Sequence, residues 1–246
     1  GAIIMFYILP ILPVLPILIV YILAAILPAI FLLRFIYRHD TVEKEPPGLL
    51  ALLLLMGVVS AVCSGFLESL AESLLKLLVS PSSPIYVVLT AFLVVAMIEE
   101  GTKFWLMKCC TWRHPAFNYR FDGIVYAVFV SLGFAAFENI QYILHYGLSV
   151  ALPRALLAVP GHMAFAVYMG VFYGRAKRSE SQDDGAGVRR NLCLGYVWAV
   201  FLHGFYDTCA MIGSIRATVV FVIFIVVVFF QVYRLLRRES AADAPI

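Results

Sequence analysis

The sequence predicts an all-α polytopic membrane bundle of about seven transmembrane helices, and three observations predict it. Hydrophobic residues make up 63% of the 246 residues and charged residues only 13%, against roughly 45–50% and about 25% in soluble domains. Mean hydropathy is +0.96, and several apolar runs exceed the roughly 18 residues that mark a spanning helix. Lysine and arginine, finally, are concentrated in alternate loops. A soluble domain is excluded, because too little charge is available to cover its surface. The net charge of +3 belongs to those loops, so no nucleic-acid partner is expected; the partner is the lipid bilayer.

The elements follow from apolar runs and polar breaks. The first apolar stretch, Ala2–Leu33, is too long for one span and too short for two. Proline is tolerated in a first helical turn and disrupts an interior, so Pro10, Pro13 and Pro16 place the helix start near Pro16, with span 14–33. The preceding residues are expected at the outer interface. No basic segment precedes this stretch, which argues against a signal peptide; the chain begins with glycine, so the true start is expected upstream. The remaining spans are read at 49–67, 85–107, 123–144, 155–174, 192–212 and 217–233. The segment 175–191, RAKRSESQDDGAGVRRN, reads as a polar, flexible cytoplasmic linker. Residues 1–246 are taken as one transmembrane domain without internal repeats. The five cysteines show no CxxC spacing and suggest no metal or redox chemistry.

Orientation follows from the basic residues. Arg34, Arg38 and Lys44 fall in the first loop; Lys108, Arg113 and Arg120 in the third. Arg175, Lys177, Arg178, Arg189 and Arg190 fall in the fifth, and Arg234, Arg237 and Arg238 in the tail. The other side has only Lys76, Arg154 and Arg216. The positive-inside rule then places the N-terminus outside and the C-terminus in the cytoplasm.

Most acidic residues sit in loops or at span ends. Glu68, Glu72 and Lys76, at i, i+4 and i+8, read as a solvated helix end. Four acids lie deep: Glu99, Glu100, Glu138 and Asp207, with Lys103, His162 and His203 at comparable depth. Each charge at the bilayer centre costs roughly 2.5–3.5 kcal/mol on insertion scales. Five would cost on the order of 12–17 kcal/mol, as much as the net stability of a fold, so they must face inward together. At a rise of about 1.5 Å per residue, four helices deliver these groups to one slab about 13 Å thick. Glu99–Lys103, Glu138–Tyr142 and His203–Asp207 are i, i+4 pairs, each on one helix face.

Four carboxylates against one lysine leave an excess of negative charge, which calls for protons or a divalent cation. A buried carboxylate beside a histidine can act as a general base for water. Two histidines and a carboxylate also form a catalytic zinc set with an open fourth position. The HExxH motif is absent, so such a site would be assembled from separate helices.

These residues carry a resemblance. MIEEGTKFW (97–105) holds an EExxK motif, and GFAAFENIQY (133–142) an FxxxExxxY motif on Phe134, Glu138 and Tyr142. PGHMAF surrounds His162, HGFYD runs from His203 to Asp207, and the first loop reads RHDTVEKEPPG. In this order, over about 34–207, they resemble the PrsW family of intramembrane proteases, distant relatives of the CAAX prenyl endopeptidases. The resemblance implies an integral protein of a prokaryotic cell membrane that hydrolyses peptide bonds of membrane-anchored, single-pass substrates, such as the first cut in an anti-sigma-factor-like protein. It implies Glu99, Glu100, His162 and His203 as essential groups, with Lys103 and Glu138 also catalytic. Glu138 stands where the CAAX relatives have a histidine, so ligand roles are not copied from them. Zn2+ on His162, His203 and Asp207 or Glu138 is one reading; a metal-free glutamate mechanism is the other. Of the paired glutamates, Glu100 is expected to be the base and Glu99, sharing a face with Lys103, to orient it. Because Glu138, His162, His203 and Asp207 fall on the outer side of their span centres, the cut is expected in or near the outer half. An ion- or proton-coupled transporter, or a receptor or scaffold with a buried polar core, remains as an alternative class.

Overall fold

The computed structural model describes residues 14–246, and seven helices run through them. They are α1 (Val14–His39), α2 (Pro47–Leu78), α3 (Pro84–Thr111), α4 (Asp122–Tyr146), α5 (Leu148–Ser181), α6 (Gly185–Ile212) and α7 (Ile215–Ala241). All seven expected spans are helical, and most helices extend beyond the apolar run that announced them. The segment before Val14, expected at the outer interface, lies outside the described residues. Six of the helices are long and apolar enough to cross a membrane. The seventh, α6, carries His203 and Asp207 on the face it turns inward, which lowers its apolar content.

α4 is the post around which the others stand. Every residue from Asp122 to Ala135 is buried, because other helices lie against all its sides. Two close approaches make this possible. A Cβ on Gly57 of α2 would meet the Val130 carbonyl oxygen at 2.1 Å, and one on Gly133 of α4 would meet the Leu54 oxygen at 2.3 Å. Toward α5, a Cβ on Gly170 would lie 2.5 Å from Ile124 Cα. Only glycine permits such backbone contact, the main packing device where lipid supplies no hydrophobic drive between helices. α1 joins through Asn139 Nδ2, which donates to the Ala25 carbonyl at 3.0 Å. Thr102 of α3 bonds Ser60 and Ser64 of α2 at 2.8 and 2.7 Å.

The basic loops gather at one end. Asn118 Nδ2 donates to Glu43 at 3.1 Å, Arg120 pairs with Glu239 at 2.8 Å, and Trp112 Nε1 donates to Glu180 at 2.8 Å. The C-terminal residues lie along the third loop, with Ile246 N–H donating to the Asn118 carbonyl at 2.8 Å and Arg120 N–H to the Ala244 carbonyl at 3.2 Å. Burial pushes Asp40 up to about 6 and Glu45 up to about 7 at this end.

Segment 175–191 differs from the expected flexible linker. α5 continues to Ser181 and α6 begins at Gly185, leaving only a tight turn. Its charges are satisfied as helix rather than as coil: Lys177 pairs with Glu180 at 2.7 Å, and the Asp184 carboxylate caps α6 by accepting from Gly187 N–H at 2.9 Å.

Candidate functional site

Two of the helices that carry the site contain a π-helical turn just before their motif. In α3 it spans Thr90–Ala96, followed by Glu99; in α5 it spans Arg154–Ala158, followed by His162. Each such turn takes in extra backbone and rotates everything after it relative to an unbroken α-helix, a distortion common at functional sites.

The expected groups come together. Glu99, Glu100, Lys103, His162 and His203 are 5%, 1%, 2%, 5% and 4% exposed, so none of them faces lipid. Lys103 Nζ donates to Glu99 Oε2 at 3.0 Å and to Glu100 Oε1 at 2.8 Å, lies 3.3 Å from His162 Nδ1, and sits 3.8 Å from the centre of the Phe134 ring. Glu100 Oε1 also meets His203 Nδ1 at 2.9 Å, whereas its Oε2 is buried without a partner. His203 Nε2 lies 3.3 Å from Asp207 and 3.9 Å from Glu99. His162 Nε2 lies 3.0 Å from Glu138 Oε2.

Donor atoms of Glu99, Glu100, His162 and His203 all lie within 4.8 Å of one another. The orphaned Glu100 Oε2 and this set of two carboxylates and two imidazoles fit a divalent cation. Of the expected ligands, His162 and His203 are in this set. Glu138 and Asp207 are not in it; each stands behind a histidine, on its Nε2. A carboxylate on Nε2 fixes a histidine's tautomer and ring orientation; Nδ1 then faces Glu100 in His203 and Lys103 in His162.

The site opens into a cavity of about 550 Å³, within the usual range for ligand pockets. Its lining includes Glu68, Glu99, Glu138, His162, His203 and Asp207. It draws on the second halves of α2, α4 and α6 and on the first halves of α5 and α7, so it lies toward the end opposite the basic loops. Glu99 lines it and Glu100 does not.

Three features escaped the sequence reading. Glu68 is not a solvated helix end: it lines the cavity, and its Oε1 is buried without a partner. Only its neighbours Glu72 and Lys76, paired at 2.9 Å and about half exposed, behave as expected. Glu138 and Tyr142 interact through Arg154, whose guanidinium lies 2.7 Å from Glu138 Oε2 and 3.8 Å from the Tyr142 ring centre. Arg154 had a signal: it is one of few basic residues on a side that the charge bias otherwise leaves nearly bare.

A seven-helix bundle that buries two glutamates, two histidines and a lysine beside a polar cavity defines a class, the hydrolases that work inside the membrane. The comparisons narrow it: the model of the PrsW family of intramembrane metalloproteases matches residues 45–233, and the chain belongs to that family. It is 35% identical over 186 residues to Protease PrsW of Geobacillus kaustophilus, covering 75% of this chain and 76% of that protein. It is 31% identical over 222 residues to Protease PrsW of Halalkalibacterium halodurans, covering 89% and 97%. Against Protease PrsW of Bacillus subtilis the identity is 35% over 184 residues, covering 75% and 79%. No solved structure matches. The chain is thus an intramembrane peptidase of a prokaryotic cell membrane that acts on membrane proteins, and the transporter and receptor readings find no support.

Proposed function

We propose that the chain cuts single-pass membrane proteins in the outer half of the bilayer, with Glu99 as the general base. The observation that carries the assignment is that Glu99 lines the cavity while Glu100 lies behind it. Glu99 takes a proton from water, the water oxygen adds to the scissile carbonyl carbon, and the proton passes to the amide nitrogen as the C–N bond breaks. Lys103, 3.0 Å from Glu99, holds the carboxylate in place. Glu100, His162 and His203 would hold Zn2+, which when bound supplies a Lewis acid and acidifies water. Glu138 and Asp207 orient the two imidazoles. The placement of the cut rests on the cavity lying opposite the basic loops, and an anti-sigma-factor-like protein fits such a substrate.

One observation favours a metal-free variant of the same reading. The Lys103 ammonium already contacts Glu99, Glu100 and His162 at 2.8–3.3 Å. A resident cation can supply charge there, with the histidines stabilising the oxyanion.

The test is cleavage of a reporter bearing one transmembrane segment. Glu99→Gln should lower kcat by about 10²–10⁴-fold without unfolding the protein, and the product termini should map to the outer half. Near-normal cleavage by Glu99→Gln together with an inactive Glu100→Gln would return the base to Glu100. Loss of activity on chelation with recovery on added zinc selects the metal form; full activity of metal-free protein selects the other.

A further inference from the structure

We propose that Arg154 is a positioning residue of this site, acting through Glu138 to fix the orientation of His162. The inference rests on the reading above only in taking His162 as a working member of the cluster.

Arg154 opens the π-helical turn of α5, two helical turns before His162. Three residues of α4 grip it. Its terminal nitrogen meets Glu138 Oε2 at 2.7 Å, its Nε donates to Asn139 Oδ1 at 2.5 Å, and its guanidinium lies over Tyr142 at 3.8 Å. Asn139 is itself held, through its bond to the Ala25 carbonyl. The oxygen that receives Arg154 also faces His162 Nε2 at 3.0 Å.

That shared oxygen makes the arrangement directional. A carboxylate paired with a guanidinium only accepts hydrogen bonds, so His162 Nε2 carries the hydrogen and Nδ1 presents its lone pair toward Lys103, 3.3 Å away. Glu138 lines the cavity with its side chain 20% exposed. Without Arg154 it would keep only its bond to His162 and could turn toward the cavity. Lysine is a poor replacement for the arginine, because Glu138 and Asn139 are reached through separate nitrogens of a planar fork that a single ammonium lacks. On this view Glu138 and Tyr142 of the FxxxExxxY motif serve to hold a cation from the next helix, and Phe134 does the same for Lys103.

The experiment compares full-length wild type with Arg154→Gln, Arg154→Lys, Glu138→Gln and the double variant Arg154→Gln/Glu138→Gln. Reporter cleavage gives kcat and KM, competition with a chromophoric chelator gives Zn2+ affinity, and ¹⁵N shifts of labelled histidine, assigned with His162→Gln, give the tautomer. Loss of an outer partner typically costs 10–100-fold in activity or metal affinity. Arg154→Gln should therefore lower kcat by about that factor with little change in KM, and should mix the His162 tautomers. Arg154→Lys should recover little. The double variant should be no worse than Glu138→Gln, because the effect passes through Glu138. Losses that multiply in the double variant would overturn the proposal in favour of direct contact with substrate. An unchanged His162 tautomer in Arg154→Gln would reduce Arg154 to a helix latch and overturn it as well. If wild type neither cleaves nor binds zinc, the functional reading fails, while the His162 spectrum still decides the role of Arg154.

Discussion

Replacing Lys103 by methionine keeps the length of the side chain and removes the charge that two buried carboxylates share. Glu99 and Glu100 lie 3.0 and 2.8 Å from the ammonium, with side chains 7% and 1% exposed, and at Glu100, which lies behind the cavity, water cannot take its place. Removing one partner of a buried ion pair typically costs about 3–5 kcal/mol, because the charge left behind remains out of water. With two carboxylates left, the upper part of that range applies. For a chain of this size about 3–5 kcal/mol corresponds to a fall in Tm of about 6–20 °C. Circular dichroism of detergent-purified protein in chelator would measure it. The cause is separable from lost packing by a cycle: Lys103→Met/Glu100→Gln should recover a large part of the loss, since it also removes a stranded charge. A Lys103→Met protein melting within about 1 °C of wild type, or a double variant no more stable than the single one, would refute the electrostatic account.

At Gly170 an added Cβ meets backbone atoms of Ile124 and Gly123 at 2.5 and 2.6 Å, so Gly170→Ala should cost about 1–3 kcal/mol, read as a lower Tm. Asp40, facing Lys44, Glu43 and Asp243, and Glu45, facing Tyr126, Asp122, Asp40 and Glu43, titrate near 6 and 7 when folded, above their ordinary 3.8 and 4.5. The folded state therefore binds protons more tightly, and their contribution to stability is full below about pH 4 and lost as pH rises through about 6–7. Hydrogen-exchange protection at residues 242–246, corrected for the intrinsic rise of exchange with pH, should be greater at pH 5 than at pH 8, and Asp40→Asn/Glu45→Gln should flatten the difference. Finally, a Gln182→Cys variant without the native cysteines should resist an impermeant reagent in intact cells, while a cysteine at Ser82 should react; the opposite pattern would invert the topology.

The helices were legible because lipid imposes one rule, apolar length, on every span. The cluster was legible for the complementary reason: charges that cost this much in lipid have nowhere to go except toward one another. Which atom faces which was not. The i, i+4 rule found Glu99–Lys103 and His203–Asp207, both real contacts, but it paired Glu138 with Tyr142 when each reaches for Arg154 on another helix. Which of Glu99 and Glu100 lines the cavity was not legible either, because that depends on where α2, α6 and α7 stand. Glu68 looked like a helix end because the apolar run stops there, yet α2 continues to Leu78 and Glu68 lines the cavity together with Ala61 and Gly65. In segment 175–191, polar composition was read as coil where ion pairs and a cap maintain helix.

The two π-helical turns bear on how such a chain tolerates insertion and deletion. In a loop such as 79–83, losing a residue shortens a connection and leaves the helices as they were. Within Thr90–Ala96 or Arg154–Ala158, losing one lets the turn relax to an ordinary α-helix and keeps the phase of everything beyond it, whereas straightening the turn with no residue lost swings everything beyond it by about 100°. Glu99, Glu100 and Lys103 would then turn together away from His162 and His203, or His162 away from Glu138, with the helix itself unharmed. A substitution that straightened either turn would thus leave a chain that inserts, folds and carries every motif residue in its proper sequence order, and still lacks an assembled site.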